Sequence, residues 1–161
     1  MDSTEHEKFM RIALCQAETA MVKGEVPTGC VIVRGGHATD PNQHIIGRAH
    51  NQVELLKDPT AHAEMIAITQ AANAFGDWRL TDTVLYVTKE PCAMCAGAIV
   101  LARIPVVVFG APDPRRGGAV SVFNILDNRN LNHRCTVITG VLQDQCADLL
   151  RGFFQSRRAG E

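Results

Sequence analysis

Between residues 5 and 23, Phe9, Ala13, Ala17, Ala20 and Met21 recur three or four positions apart among polar neighbours. That is the spacing of one buried helical face, and Gly24 follows as a stop signal. The period then changes. Residues 29–33 and 44–47 are short β-branched runs separated by a Gly-, Pro-, Asn- and Asp-containing stretch, 35–43, which predicts a hairpin with a long tip. Asp58-Pro59 offers a cap followed by proline at a first helical position, predicting a helix to about residue 74. The apolar runs 83–88 (TVLYVT) and 105–110 (PVVVFG) read as strands, and between them Glu90-Pro91 opens a helix over 92–102. Strand, helix, strand implies a parallel pair. Residues 111–134 are rich in Pro, Gly, Asn and Arg, with one short helical candidate at 120–126. A last strand at 136–141 and a closing helix at about 144–158 complete the chain. The stripe Cys146, Leu149, Leu150 and Phe153 on that helix reads as a core face. The order α-β-β-α-β-α-β-(α)-β-α belongs to the α/β class, with one mixed sheet covered by helices on both faces.

Length and composition narrow the picture without changing it. With 161 residues, 46% hydrophobic and 20% charged, the chain fits a single domain over 1–161 and excludes a disordered or fibrous class. The longest apolar run ends at Arg103, short of the roughly 18 residues of a membrane span. The acidic, polar start MDSTEHEK differs from a secretory signal, so the expected location is the cytoplasm. Net charge is −4 through residue 100 and +3 beyond it. That asymmetry permits nucleic-acid contact by the C-terminal part and does not establish it.

Two helix openings hold His62, Glu64, Cys92 and Cys95 within their first turns. Two cysteines three apart on a helix share a face, and a helix N-terminus favours the thiolate that binds metal. With His62 they make three ligands, the number found at catalytic zinc, which keeps an open position. Glu64, two helical steps of about 100° from His62, points elsewhere and is free to handle protons. A His-x-Glu alone is commonly incidental, and a Cys-x-x-Cys alone serves equally as a redox pair, a structural zinc half-site or buried thiols. It is their joint placement that favours a zinc site. Cys15, Cys30, Cys135 and Cys146 lie in apolar contexts and read as small core residues, and His6, His37, His44, His50 and His133 as surface histidines. On its own, Asn51 reads as a strand-ending turn residue.

His62-Ala63-Glu64 and, after 26 intervening residues, Pro91-Cys92-Ala93-Met94-Cys95 resemble the zinc nucleoside deaminase signature. Within that superfamily the chain is most similar to bacterial tRNA-specific adenosine deaminases. The likeness extends through Glu25-Val26-Pro27, Asn51, Asp58-Pro59-Thr60-Ala61, Trp78-Arg79-Leu80, Val107-Val108-Phe109-Gly110-Ala111 and Asn132-His133-Arg134 to Phe153-Phe154-Gln155-Ser156-Arg157-Arg158. The resemblance implies a cytidine-deaminase-like three-layer α/β/α fold with a five-stranded mixed sheet. It also implies a homodimer that binds the tRNA anticodon loop and hydrolyses the wobble adenosine to inosine. On this reading His62, Cys92 and Cys95 hold Zn2+ and Glu64 shuttles protons as activated water attacks C6. Asn51 contacts the flipped nucleoside, the main chain at Ala63 and Pro91 lines the base pocket, and Asp113 lies in the loop beside the flipped nucleotide. Thr28 stands where the family usually carries a small apolar residue, which adds a hydroxyl at the pocket wall. The 35–43 tip and the 111–122 loop also depart from the family pattern. A zinc deaminase of a free nucleobase or nucleoside, such as guanine or cytosine, would use the same four residues, and a structural zinc or redox module would have no need of Glu64.

Overall fold

The computed structural model describes residues 3–35 and 44–160. Of the expected hairpin tip, residues 36–43 lie outside these, as does His37. In chain order the elements are α1 (Ser3–Val22), β1 (Gly29–Arg34), β2 (Ile45–His50), α2 (Val53–Leu56), α3 (Ala63–Phe75), β3 (Thr83–Lys89), α4 (Ala93–Leu101), β4 (Val106–Ala111), β5 (Thr136–Thr139) and α5 (Gln143–Gly160). The five strands form one mixed sheet in the order β2-β1-β3-β4-β5. β1 runs antiparallel to both neighbours, while β3, β4 and β5 are parallel.

Strict alternation along the three central strands divides the apolar residues between two cores. Cys30, Ile32, Leu85, Val87, Val107 and Phe109 point to one face, where Ala63, Ala67 and Ala71 of α3 and Ala96 and Ile99 of α4 cover them. Val31, Val33, Tyr86 and Val108 point to the other, under Phe9, Met10 and Ala13 of α1 and Cys146 of α5. The result is three layers, helices on both sides of the sheet. Small residues permit close crossings: a Cβ on Gly47 would come within 2.6 Å of the Ala67 carbonyl, so α3 rests directly on β2 there.

Several expectations change. Asp58-Pro59 does not open the helix. The Asp58 carboxylate instead accepts the amide and hydroxyl of Thr60 at 2.8 and 2.7 Å, a local turn that competes with helix, and α3 begins only at Ala63. Residues 120–126 form turns and irregular loop rather than a helix, because the amides of Val120 and Ser121 donate to the Glu90 carboxylate. Cys15 is exposed, whereas Cys30, Cys135 and Cys146 are buried. His6 and His50 are buried rather than superficial; His6 Nδ1 lies 2.9 Å from the Tyr86 hydroxyl, and His50 Nδ1 lies 3.0 Å from the Asn51 carbonyl. Among the described residues, no helix is long and apolar enough to cross a membrane.

Candidate active site

The C-terminal ends of β3 and β4 open onto the start of α4, and the register Gly29↔His50 brings the start of β1 and the end of β2 to the same edge. Loops leaving that edge converge on a single cleft. His62 is the residue before α3, and Cys92 the residue before α4, both with extended backbone (φ −74°, ψ 152° and φ −72°, ψ 176°). Residues at this position ordinarily fold their side chains back onto the helix amides. Neither does so here, which frees both for each other. His62 Nδ1 lies 3.7 Å from Cys92 Sγ and 3.5 Å from Cys95 Sγ.

Those distances test the zinc expectation. A tetrahedral ion with nitrogen at about 2.05 Å and sulfur at about 2.3 Å separates the two by about 3.6 Å. Both distances from His62 Nδ1 match that separation, and the three ligand atoms lie within 4.8 Å of one another, so the set could hold one ion. The electrostatics agree. The hydrogen bond from Cys95, set against burial and joined by one with His62, pulls the Cys92 thiol down to about 3. Donation to Cys92, together with burial, pushes Cys95 up, and the bond to Cys92 raises His62. One proton is thus already shared across a pair that a metal ion would deprotonate fully.

Glu64 lies in the first turn of α3 and is 3% exposed. Burial raises its carboxyl above the usual range, a direction that suits a group required to take and return protons near neutrality. His62 is not helical, so the extended backbone at that residue, rather than helical rotation, separates the two side chains.

The cleft has a volume of about 390 Å³. His62, Glu64, Cys92, Thr28, Asn51 and Asp113 all line it, joined by Lys89, Glu90 and Arg116, by Glu25 and Glu54, and by Phe153, Phe154 and Arg157 of α5. Thr28 and Asn51 are buried and tied together, the Asn51 amide donating to the Thr28 carbonyl at 3.1 Å. Ala63 is buried at the start of α3, and the Pro91 carbonyl accepts the Gly118 amide at 2.7 Å.

Two buried acids escaped the sequence reading of the site. Glu25, 2% exposed, accepts the amides of Glu54 and Leu55 at 2.9 and 2.8 Å, capping α2 from a distant loop and fixing the chain beyond Asn51. Glu90, equally buried, accepts from the amides of Asp113, Ala119, Val120 and Ser121 and from the Ser121 hydroxyl. Burial works to raise the Glu90 carboxyl, but the bonds from Ser121, Asp113 and Val120 outweigh it and hold the group below the usual range. Glycine at 117 is required, since a Cβ there would lie 2.3 Å from that carboxyl. Asp113 is similarly held low: burial opposes, and Lys89 with the amides of Arg115 and Arg116 prevails. A glutamate one or two residues before proline, as in Glu25-Val26-Pro27 and Glu90-Pro91, is the local feature these positions share, and it does not reveal what they hold.

Residues 4–158 match the family of MafB19-like deaminases. The chain is 47% identical over 154 residues to the tRNA-specific adenosine deaminase of Streptococcus pyogenes serotype M18, covering 96% of this chain and 92% of that one. It is 49% identical over 152 residues to the tRNA-specific adenosine deaminase of Aquifex aeolicus, covering 94% and 95% respectively. A solved structure from a study of A-to-I editing by tRNA:A34 deaminases at the wobble position of transfer RNA superimposes with a TM-score of 0.81 at 38% identity. That match covers 89% of this chain and 99% of the other, and the shared three-layer architecture is the cytidine-deaminase-like fold. A zinc-competent His/Cys/Cys set beside a buried glutamate is what such enzymes require, and with likeness of this extent along its length the chain belongs to the MafB19-like deaminases and, among them, to the tRNA-specific adenosine deaminases.

Proposed function

We propose that the protein hydrolyses the wobble adenosine of a tRNA anticodon loop to inosine, releasing ammonia. The observation that carries the chemistry is the placement of His62, Cys92 and Cys95 close enough to hold one ion, at a cleft that His62, Cys92 and Glu64 line. Near-full-length similarity to enzymes named for tRNA supports the substrate. Zinc held by His62 Nδ1 and the two sulfurs would supply the acidity that makes water a nucleophile near neutral pH. Glu64 takes the proton of that water at its carboxylate, delivers it to the ring nitrogen beside C6, and carries the next proton to the departing amine. Asn51 holds the flipped nucleoside, with the Thr28 hydroxyl beside the base and Asp113 beside the sugar-phosphate. The main chain at Ala63 and Pro91 shapes the pocket from behind. A volume of about 390 Å³ suits one nucleotide rather than a duplex.

The same reading carries a second copy of the chain as partner and the cytoplasm as location. Exposed Leu55 and Leu56 of α2, close in sequence to the cleft-lining Val53 and Glu54, and exposed Val122 and Phe123 give apolar surface for such a partner.

The test is ammonia release by zinc-assayed protein on an anticodon stem-loop with a wobble adenosine, beside a panel of free purines, pyrimidines and nucleosides. Inosine formed in the RNA alone is the expected result. Turnover of a free base with inert RNA would overturn the tRNA assignment and leave the zinc chemistry standing. Affinity for the stem-loop should fall steeply with salt, as phosphate contacts require.

A further inference from the structure

Lys89 is the last residue of β3, and its ammonium lies 3.1 Å from Asp113 Oδ2. The other carboxylate oxygen, Oδ1, accepts the amides of Arg115 and Arg116 at 3.1 and 3.2 Å, and the Asp113 amide donates to Glu90 Oε1 at 3.0 Å. Two consecutive residues at the end of one strand thus grip a single residue of the facing loop. Lys89 holds its carboxylate and Glu90 its amide, and all three line the cleft. The pair is well sheltered, the Lys89 side chain 28% exposed and that of Asp113 10%.

Charge gives this contact a consequence. The cleft already contains Glu25, Glu54, Glu64 and Glu90. Of the cations that line it, Arg157 donates to the Gly24 carbonyl and lies over the Phe153 ring, and Arg116 is exposed. A carboxylate at the cleft, left uncompensated, would repel a phosphodiester backbone, most strongly at low ionic strength. We propose that Lys89 is a positioning residue for RNA: it cancels the charge of Asp113 at the cleft, so that this carboxylate adds no repulsion toward a polyanionic substrate while Asp113 keeps an oxygen able to accept a hydrogen bond. This inference rests on the RNA reading above. It assigns Lys89 no proton transfer and no direct bond to phosphate.

Both rival roles for Lys89 are separated by a double-mutant cycle on the zinc-loaded enzyme with the wobble-adenosine stem-loop. In K89M the exposed Asp113 charge should raise KM by about fivefold at roughly 50 mM salt and by less at roughly 300 mM, with kcat within about twofold of wild type. Whatever KM D113N has alone, K89M in the D113N background should leave it within about twofold of the D113N value, because the charge that Lys89 offsets is then gone. A lysine that bonds phosphate directly would show the same KM penalty with or without Asp113. A merely structural lysine would lower kcat and thermal stability along with affinity. Either pattern overturns the inference. Wild-type enzyme that turns over only a free base would defeat the RNA reading, and this inference with it, before any variant is made. Wild type that edits RNA, with no rescue by D113N, would defeat the inference alone.

Discussion

His62 Nδ1 and Cys95 Sγ stand 3.5 Å apart across 33 residues of chain, and the separation is set by where two helices begin. Because α3 and α4 pack on the same face of the sheet, their N-termini reach the same edge, and the residues that would otherwise cap them face one another. Removing one ligand should therefore remove the metal without unfolding the layers. Cys95→Ala is expected to reduce bound zinc from about one per chain to near zero and to abolish ammonia release. The far-ultraviolet dichroism should stay unchanged. Metal analysis after dialysis checks this, and a variant that kept stoichiometric zinc would refute the assignment of Cys95.

Glu64→Gln tests the proton path separately from the metal. Glutamine keeps the shape and cannot take a proton from water, so turnover should fall by about 10² to 10⁴-fold while zinc content holds. Single-turnover rates on the stem-loop give the comparison. The buried site should also gain stability at neutral pH from the neutral amide. Its carboxyl is raised by burial, so ionising it costs folding free energy once the pH exceeds the ordinary carboxylate range.

Much of this site was legible because its chemistry is local. The spacing of Cys92 and Cys95, the nearby His62 and Glu64, and the strand-helix-strand reading of 83–110 identified the four residues and the start of α4, while α3 begins four residues beyond the expected Pro59. What failed depended on partners far along the chain. Residues 120–126 have helix-like composition, yet their amides answer to a carboxylate about 30 residues away. Asp58-Pro59 has the letters of a helix start, but Asp58 closes a turn on Thr60 first. Polar neighbours made His50 look superficial, although it ends a strand in a buried corner beside Asn51. Buried polar residues paired over long distances leave no periodic trace, which is why the anchoring roles of Glu25 and Glu90 could not be read from the sequence.

Thiol chemistry offers a check on the packing that needs no substitution. Burial pushes the Cys135 thiol up to about 11 and Cys146 up to about 12, and burial with the nearby Glu64 charge raises Cys30 well above the ordinary thiol value. Thiolates react and thiols do not, so these three should stay silent to a disulfide reagent at neutral pH. Exposed Cys15 should react alone in the zinc-loaded protein. After chelation the half-buried Cys92, already drawn toward thiolate, should join it. Mass mapping that found Cys30 or Cys146 labelled before unfolding would contradict the two-core packing.

The Glu90 carboxylate should make the stability of the 112–121 loop depend on pH in one direction. Its pKa in the folded chain lies below that of a free glutamate, so the folded state binds this proton less well than the unfolded state. The stabilisation is then complete above the free value, about 4.3, and drains away as the pH falls through the lower folded value. Glu90→Gln replaces one acceptor oxygen by an amide donor facing several N–H groups, which should cost about 2 to 4 kcal/mol at neutral pH. Gly117→Ala should cost a similar amount by pressing a methyl group into the same carboxyl. Denaturant midpoints of wild type and Glu90→Gln measured from about pH 7 to 3 should stay well apart above about pH 5 and converge below it. Parallel curves over that whole range would mean that Glu90 titrates alike in the folded and the unfolded chain, and that the amides of Val120 and Ser121 do not depend on its charge.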